Sequence, residues 1–480
     1  MKHILLSFVV CLFALNIHAK IRLPQFFSDG MVLQQQTEVR LWGWCEQNGK
    51  KINNKNVTVT TSWNKKSYTT QTDANGRFEI SVQTPKAGGP YHISFQEKST
   101  RNTSTTTNLT NVLIGEVWLC SGQSNMEMQM KGFKGQPVEG ATEELLACGD
   151  SLLRLYTGKR NPQLQPVDDI AATWQMANTA SVREFSATAY YFGKALRKAL
   201  GVPVGLICTS FGGSACEAWM KADWLQAFPK VKLPTTEDDV KRLQQRCPTA
   251  LYNGQLHPLI GYGIRGAIWY QGEDNIPRYD FYAPLMTRMI QGWREEWKQG
   301  DFPFYFCQIA PYDYSLINWG QYNSALLREQ QAQVETQVNN CRMAVLMDAG
   351  LEYGIHPRKK REAGERLALL ALSNTYNVEG LPDFATYSNV EFQGDTAVIA
   401  FNRSKEWVYF ENGLHSDNFE IAGEDQVFHP AQAWISRNRV YVKSDQVNKP
   451  VAVRYAFKNW VVGDLMHDGL PVSSFRTDNW

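Results

Sequence analysis

Between Asn111 and Asn374, runs of strand length alternate with segments of helical period, and few fold classes accept that order. "VLIGEVWLC", "VPVGLICTS", "RGAIWYQ", "PFYFCQIA" and "RMAVLMD" are short and apolar. Between them stand "REFSATAYYFGKALRKAL", "YAPLMTRMIQGWREEW", "SALLREQQAQVETQ" and "KKREAGERLALLAL", which are helical in period or composition. Such alternation predicts an α/β unit, a parallel sheet with helices on both faces. On either side the pattern is strands only. From Lys20 to about Asn108 "EVRLWGWC", "VTVTTSW", "SYTTQT", "RFEISV" and "YHISF" predict a β-sandwich, with Asn75-Gly76 in a hairpin. From about Val390, "TAVIAF", "AQAWISRNRVYVKS" and "VAVRYAF" predict a β-rich unit. The expected domains are therefore 20–110, 111–385 and 386–480, following a leader over 1–19.

That leader is "MKHILLSFVVCLFALNIHA": Lys2 and His3, an apolar run from Ile4 to Leu15, and a small residue at Ala19. It predicts a secretory signal cut after Ala19, and so an exported, periplasmic or secreted protein. No other segment is long enough to span a bilayer, so no membrane is expected for the mature form. A net charge of +2 over 480 residues gives no footprint for nucleic acid. No Cys/His metal spacing occurs, and no metal or cofactor is expected. Nine cysteines, one of them in the leader, are too sparse for a disulfide scaffold, although pairing of some is open.

In an open α/β sheet, ligands bind beyond the carboxyl ends of the strands. After the first strand comes "SGQSN", with Ser121 and Ser124; after the second, "FGGS", with Gly212 and Gly213. After the third comes "QGEDN", with Gln271, Glu273 and Asn275, and after "RMAVLM" come Asp348 and "LEYGIHP", with His356. Together these supply what acyl transfer needs: a serine, a histidine to accept its proton, and N–H donors for an oxyanion. The G-x-S-x-G elbow is absent, because Asn125-Met126-Glu127 follows Ser124.

"GEVWLCSGQSNMEM", "PVGLICTSFGGSACEAW", "AIWYQGEDN" and "IHPRKKREAGERLAL" resemble the sialate O-acetylesterases, within the wider SGNH (GDSL-like) hydrolases. "FSDGMVLQQ...VRLWGW" and "GLPVSSFRTDNW" extend the resemblance almost end to end. It implies an SGNH-like central domain that removes O-acetyl groups from sialic acid, with Ser124 as nucleophile and His356 as base. Gly213 (or Gly212), the Ser124 amide and Gln271 would form the oxyanion hole. Many SGNH enzymes carry Asp three residues before the histidine, where this chain has Tyr353. The expectation is a Ser–His dyad supported by a backbone carbonyl or an acid. Glu352, Asp348 and Glu273 are the acids in view, and the third member stays open.

Plainer readings stand beside these. Ser121 reads as turn chemistry and His257, beside Pro258, as structural. Glu273 is as readily a solvated loop acid. Trp219, just after the glycine loop, is a candidate to line a sugar site, although strand aromatics are more often core. Arg278, Arg358 and Lys359 are the cations nearest the motifs. The expected partner is an O-acetylated sugar. An acetylxylan-type esterase is the alternative within the same chemistry, and a non-catalytic carbohydrate-binding protein is the alternative outside it.

Overall fold

The computed structural model describes residues 20–98 and 104–480. The expected leader lies outside the described residues, as do 99–103 of the polar stretch before the central unit. Seven strands form the main path of the central sheet: β1 (Ser104–Gly122), β2 (Asp150–Thr157), β3 (Gln175–Ala177), β4 (Val204–Ser210), β5 (Gly266–Tyr270), β6 (Phe304–Cys307) and β7 (Cys341–Ala344). Their order is β3-β2-β4-β1-β5-β6-β7. Neighbours run parallel except β3, which pairs antiparallel with β2, so the sheet is mixed. β2 escapes a pattern reading because "DSLLRLYT" has no β-branched residue before its final Thr157. Its Arg154 is buried, and Nη2 donates to Asn111 Oδ1.

β4, β5 and β6 are buried at every position, so both faces of the sheet are covered. Among the helices are α1 (Ser124–Glu127), α2 (Ala187–Leu200), α3 (Tyr282–Trp297), α4 (Asn323–Gln337) and α5 (Lys360–Asn374). Local chemistry sets the ends of α2. Ser186 Oγ accepts the Ala189 N–H at its start, and Gly201 adopts the left-handed conformation just past its end. α2 packs on α5, and α3 packs on α4.

The N-terminal region is two facing sheets of strands. Glu38–Gln47 and Arg77–Gln83 pair in one, and Phe78 meets Phe95 of the other with ring centroids 6.2 Å apart. The turn at Asn75-Gly76 forms, but it is not a hairpin. Ser67–Gln71 pairs with Asn56–Thr61, whereas Arg77–Gln83 pairs in the opposite sheet. β1 itself crosses the expected boundary at residue 110. Its first half pairs with Gly88–Lys98, and its second half is the middle strand between β4 and β5.

The C-terminal region is a seven-stranded antiparallel sheet beginning at Thr386, with a small three-stranded sheet beside it. It docks on α4 through Arg328, which is fully buried and donates to Ser474 Oγ and Lys458 O. All eight cysteines among the described residues are buried thiols, with no disulfide between them.

Candidate active site

Parallel pairing brings three strand ends level. Gly122 of β1 pairs with Ser210 of β4 on one side and Tyr270 of β5 on the other. Gly122 has φ +143°, and a Cβ there would stand 2.2 Å from Tyr270 O, so only glycine fits between the strands at this point. The chain then turns, Gln123 N–H donates to Tyr270 O (3.0 Å), and α1 starts at Ser124. The Ser124 amide therefore sits in the first turn of a helix, where N–H groups lack intrahelical acceptors.

Ser124 and His356 line one cavity of about 360 Å³, together with Gly212, Gly213 and Glu273. Gly212 presses against the serine: a Cβ on it would lie 2.9 Å from Glu127 Oε2 and 3.4 Å from Ser124 Cβ. Its amide donates to Glu127 Oε2 at 2.8 Å, so it is committed. The amides of Gly213 and Ser124 make no hydrogen bond among the described residues. Of the two glycines, Gly213 is thus the one with a donor to spare.

Gln271 does not meet the expectation set for it. It is fully buried and absent from the cavity wall. Its Nε2 donates to Ser214 O (3.0 Å) and Asn275 Oδ1 (2.7 Å), which uses both amide hydrogens, and its Oε1 accepts from Tyr282 (2.8 Å). Gln123 faces the cavity instead. Its Oε1 accepts the Gly272 amide at 3.2 Å, while Nε2 makes no hydrogen bond among the described residues. Its place beside Ser124 was visible in the sequence, but its direction was not.

None of the three acids considered as supports bonds to His356. Asp348 holds Arg366 with both oxygens at 2.6 Å, Glu352 lies against exposed Tyr353, and Glu273 accepts from Asn125. The partner of His356 Nδ1 is the side-chain oxygen of Gln136, at 2.6 Å. The Phe133 ring meets the imidazole edge-on, with centroids 5.1 Å apart. Burial first, and the Lys360 charge with it, hold the His356 pKa down at about 4.

Behind the cavity lies a buried polar chain. Lys360 Nζ donates to Asn125 Oδ1, and Asn125 Nδ2 donates to Glu273 Oε1, each at 2.5 Å. Desolvation brings the Lys360 pKa down to about 7 against the pull of Glu273, and it raises that of Glu273.

The other expectations sort by contact. Trp219 is core, not a sugar platform: it is fully buried, donates to Ser214 Oγ and packs edge-on against Trp269. Trp319 borders the cavity in its stead. Ser121 is buried within β1, and His257 Nδ1 lies 2.9 Å from Val167 O, away from the cavity. The cations at the cavity are Arg160, paired with Glu127, and Arg246, whose Nε donates to Asp274 Oδ1 at 2.6 Å. Arg278 pairs with Glu217 in a neighbouring cleft, Lys359 donates to Asp348 O, and Arg358 is exposed.

This fold has a close counterpart in a carbohydrate acetylesterase. A crystal structure of a carbohydrate acetylesterase from Xanthomonas citri superposes with a TM-score of 0.86 at 33% identity, over 96% of this chain and 100% of that one. Within that class, residues 114–373 match the model of the family "Carbohydrate esterase, sialic acid-specific acetylesterase", and the chain belongs to that family. The sialate O-acetylesterase of Rattus norvegicus is 28% identical over 424 residues, 75% of this chain and 74% of that protein. That of Homo sapiens is 28% identical over 390 residues, 75% of this chain and 72% of the other. The protein is an enzyme, a carboxylic ester hydrolase of the carbohydrate esterase class.

Proposed function

We propose that this chain is an exported serine esterase of the SGNH type that removes O-acetyl groups from sialic acids through an acyl-enzyme on Ser124. The observation that carries the reading is one cavity lined by Ser124, His356 and Gly213, in which the Ser124 and Gly213 amides are uncommitted. His356 Nε2 takes the proton of Ser124 Oγ as the oxygen attacks the acetyl carbonyl. The carbonyl oxygen becomes an oxyanion facing the two amides, with Gln123 Nε2 as a further donor on the same wall. Collapse breaks the bond to the sugar oxygen, which leaves with the proton from His356. Water then attacks the acetyl-serine with His356 as base, and acetate departs.

Sialate carries a carboxylate, and Arg246 supports that choice over a neutral sugar. Its two Nη groups make no hydrogen bond among the described residues, and the side chain is more than half exposed at the cavity. The family description points the same way. Export rests on the leader sequence. The test compares kcat/KM for 9-O-acetylated sialic acid and an acetylated xylo-oligosaccharide. A clear preference for the sialate is expected. Preference for the neutral sugar would make the enzyme an acetylxylan-type esterase, and no hydrolysis of either or of p-nitrophenyl acetate would leave the non-catalytic reading.

A further inference from the structure

The segment after α1 wraps around the imidazole of His356. Met130 N–H donates to Phe185 O and Lys131 N–H to Arg183 O, which ties the start of the segment to the residues before α2. Phe133 and Gln136 then exchange backbone hydrogen bonds of 3.0 and 2.9 Å, closing a tight turn. Glu139 N–H donates to Arg358 O at 3.0 Å, which ties the far end to the chain two residues beyond His356. Gln136 is thus held from both sides with its oxygen 2.6 Å from His356 Nδ1. The amide oxygen can only accept, so the ring nitrogen facing it carries the hydrogen and Nε2 keeps its lone pair.

We propose that Gln136 is the positioning residue of the base, an amide standing where related hydrolytic triads place a carboxylate. The inference rests on the assignment of His356 as base. An amide orients the ring as an acid does, but it adds no negative charge to favour imidazolium. The charged groups around His356 are Lys360 on α5, Glu273 after β5, Glu127 on α1, and Asp274, Arg160 and Arg246 around the same cavity. Of these Glu127, Asp274, Arg160 and Arg246 are paired with one another, and Glu273 is bonded to Asn125. The base is therefore oriented by a neutral group beside a buried cation, a setting that keeps it unprotonated in mild acid.

The test measures kcat, KM and the pH dependence of kcat/KM with p-nitrophenyl acetate for the full chain and for Gln136→Leu and Gln136→Glu, with thermal melts to confirm folding. Gln136→Leu should lower kcat by about 10- to 10³-fold at pH 8 with KM little changed, less than the about 10⁴-fold lost when a base is held in the wrong tautomer, because leucine leaves the tautomer unset and does not impose the wrong one. Gln136→Glu should recover most of that activity at pH 8. Its acid limb should lie about one to three pH units above that of the unmodified enzyme, because a carboxylate at this distance favours imidazolium. Full kcat in the leucine variant, or an unmoved acid limb in the glutamate variant, would overturn the proposal. An inactive His356→Ala beside unaffected Gln136 variants would remove Gln136 alone from the mechanism. An active His356→Ala would remove the base and Gln136 together.

Discussion

Acidifying the enzyme separates a half-buried base from a solvated one. His356 is the base in the reading above, and its pKa is lowered to about 4 by burial, with Lys360 adding to the depression. Lys360 has a pKa of about 7, so it carries its full charge throughout the range in which His356 titrates. The base is in working form only when neutral, and kcat/KM should follow its neutral fraction. At pH 5 a histidine titrating at about 4 is roughly 90% neutral, whereas one at its ordinary value near 6.5 is about 3% neutral. The structure therefore demands about 30-fold more activity at pH 5 than an exposed imidazole would permit, with half-maximal activity near pH 4. The assay is kcat/KM for p-nitrophenyl acetate between pH 3.5 and 8, with circular dichroism at each pH. A half-maximal point between pH 6 and 7 in a folded enzyme would refute the half-buried, neutrally oriented imidazole. A stability consequence follows with a definite sign. The unfolded chain protonates His356 near 6.5 and the folded chain only near 4, so acidification through that window favours unfolding. His356→Ala should remove this part of the acid sensitivity, read as a smaller fall in melting temperature between pH 7 and pH 5.

Three further outcomes follow from single contacts. Ser124→Ala should retain its melting temperature and lose roughly 10³-fold or more of its esterase activity, and substantial activity in a pure sample would exclude the nucleophile. Gln271→Ala should act mainly on stability, because Ser214 O loses its donor at a cost of about 1–3 kcal/mol for a buried group left unsatisfied, while Asn275 Oδ1 keeps the Cys216 N–H and Tyr282 keeps the backbone oxygen of residue 271; an unchanged melting temperature with kcat selectively lowered would restore it as an oxyanion donor. Lys360→Met should destabilise by about 3–5 kcal/mol, since Glu273 loses its buried counter-charge. Adding Glu273→Gln should recover part of that loss, and strictly additive losses would show that the two are not coupled.

What the sequence made legible follows strand ends. Parallel strands in register deliver the residues that follow them to one edge, and Ser124, Gly213 and Glu273 reached a common cavity by that rule. Direction was not legible. Gln271 and Gln123 both flank strand ends, yet one points back into a polar knot and the other into the cavity. Trp219 follows the glycine loop but turns into the core, because a single buried helical turn reverses it toward Trp269. Gln136, Arg160, Arg246 and Trp319 come from connections without a periodic pattern. Their positions depend on contacts far along the chain, such as the 220 residues separating Gln136 from His356. No local signal encodes such a distance.

The 19-residue strand β1 has a consequence for how the molecule can be divided. Its first half is sewn into the N-terminal sheets, and its last residues deliver the serine. An appended sugar-binding module can be cut away at a linker, and its catalytic neighbour survives. Here any cut that releases the N-terminal sheets passes through or strips one continuous strand. The backbone groups paired with Gly88–Lys98 and Val32–Gln34 would be left as a raw edge a few residues from the turn that presents Ser124. Limited proteolysis should accordingly yield no active core beginning near residue 110. A chimera that exchanges the N-terminal region would have to carry β1, and with it the turn that presents the proposed nucleophile Ser124, along as cargo.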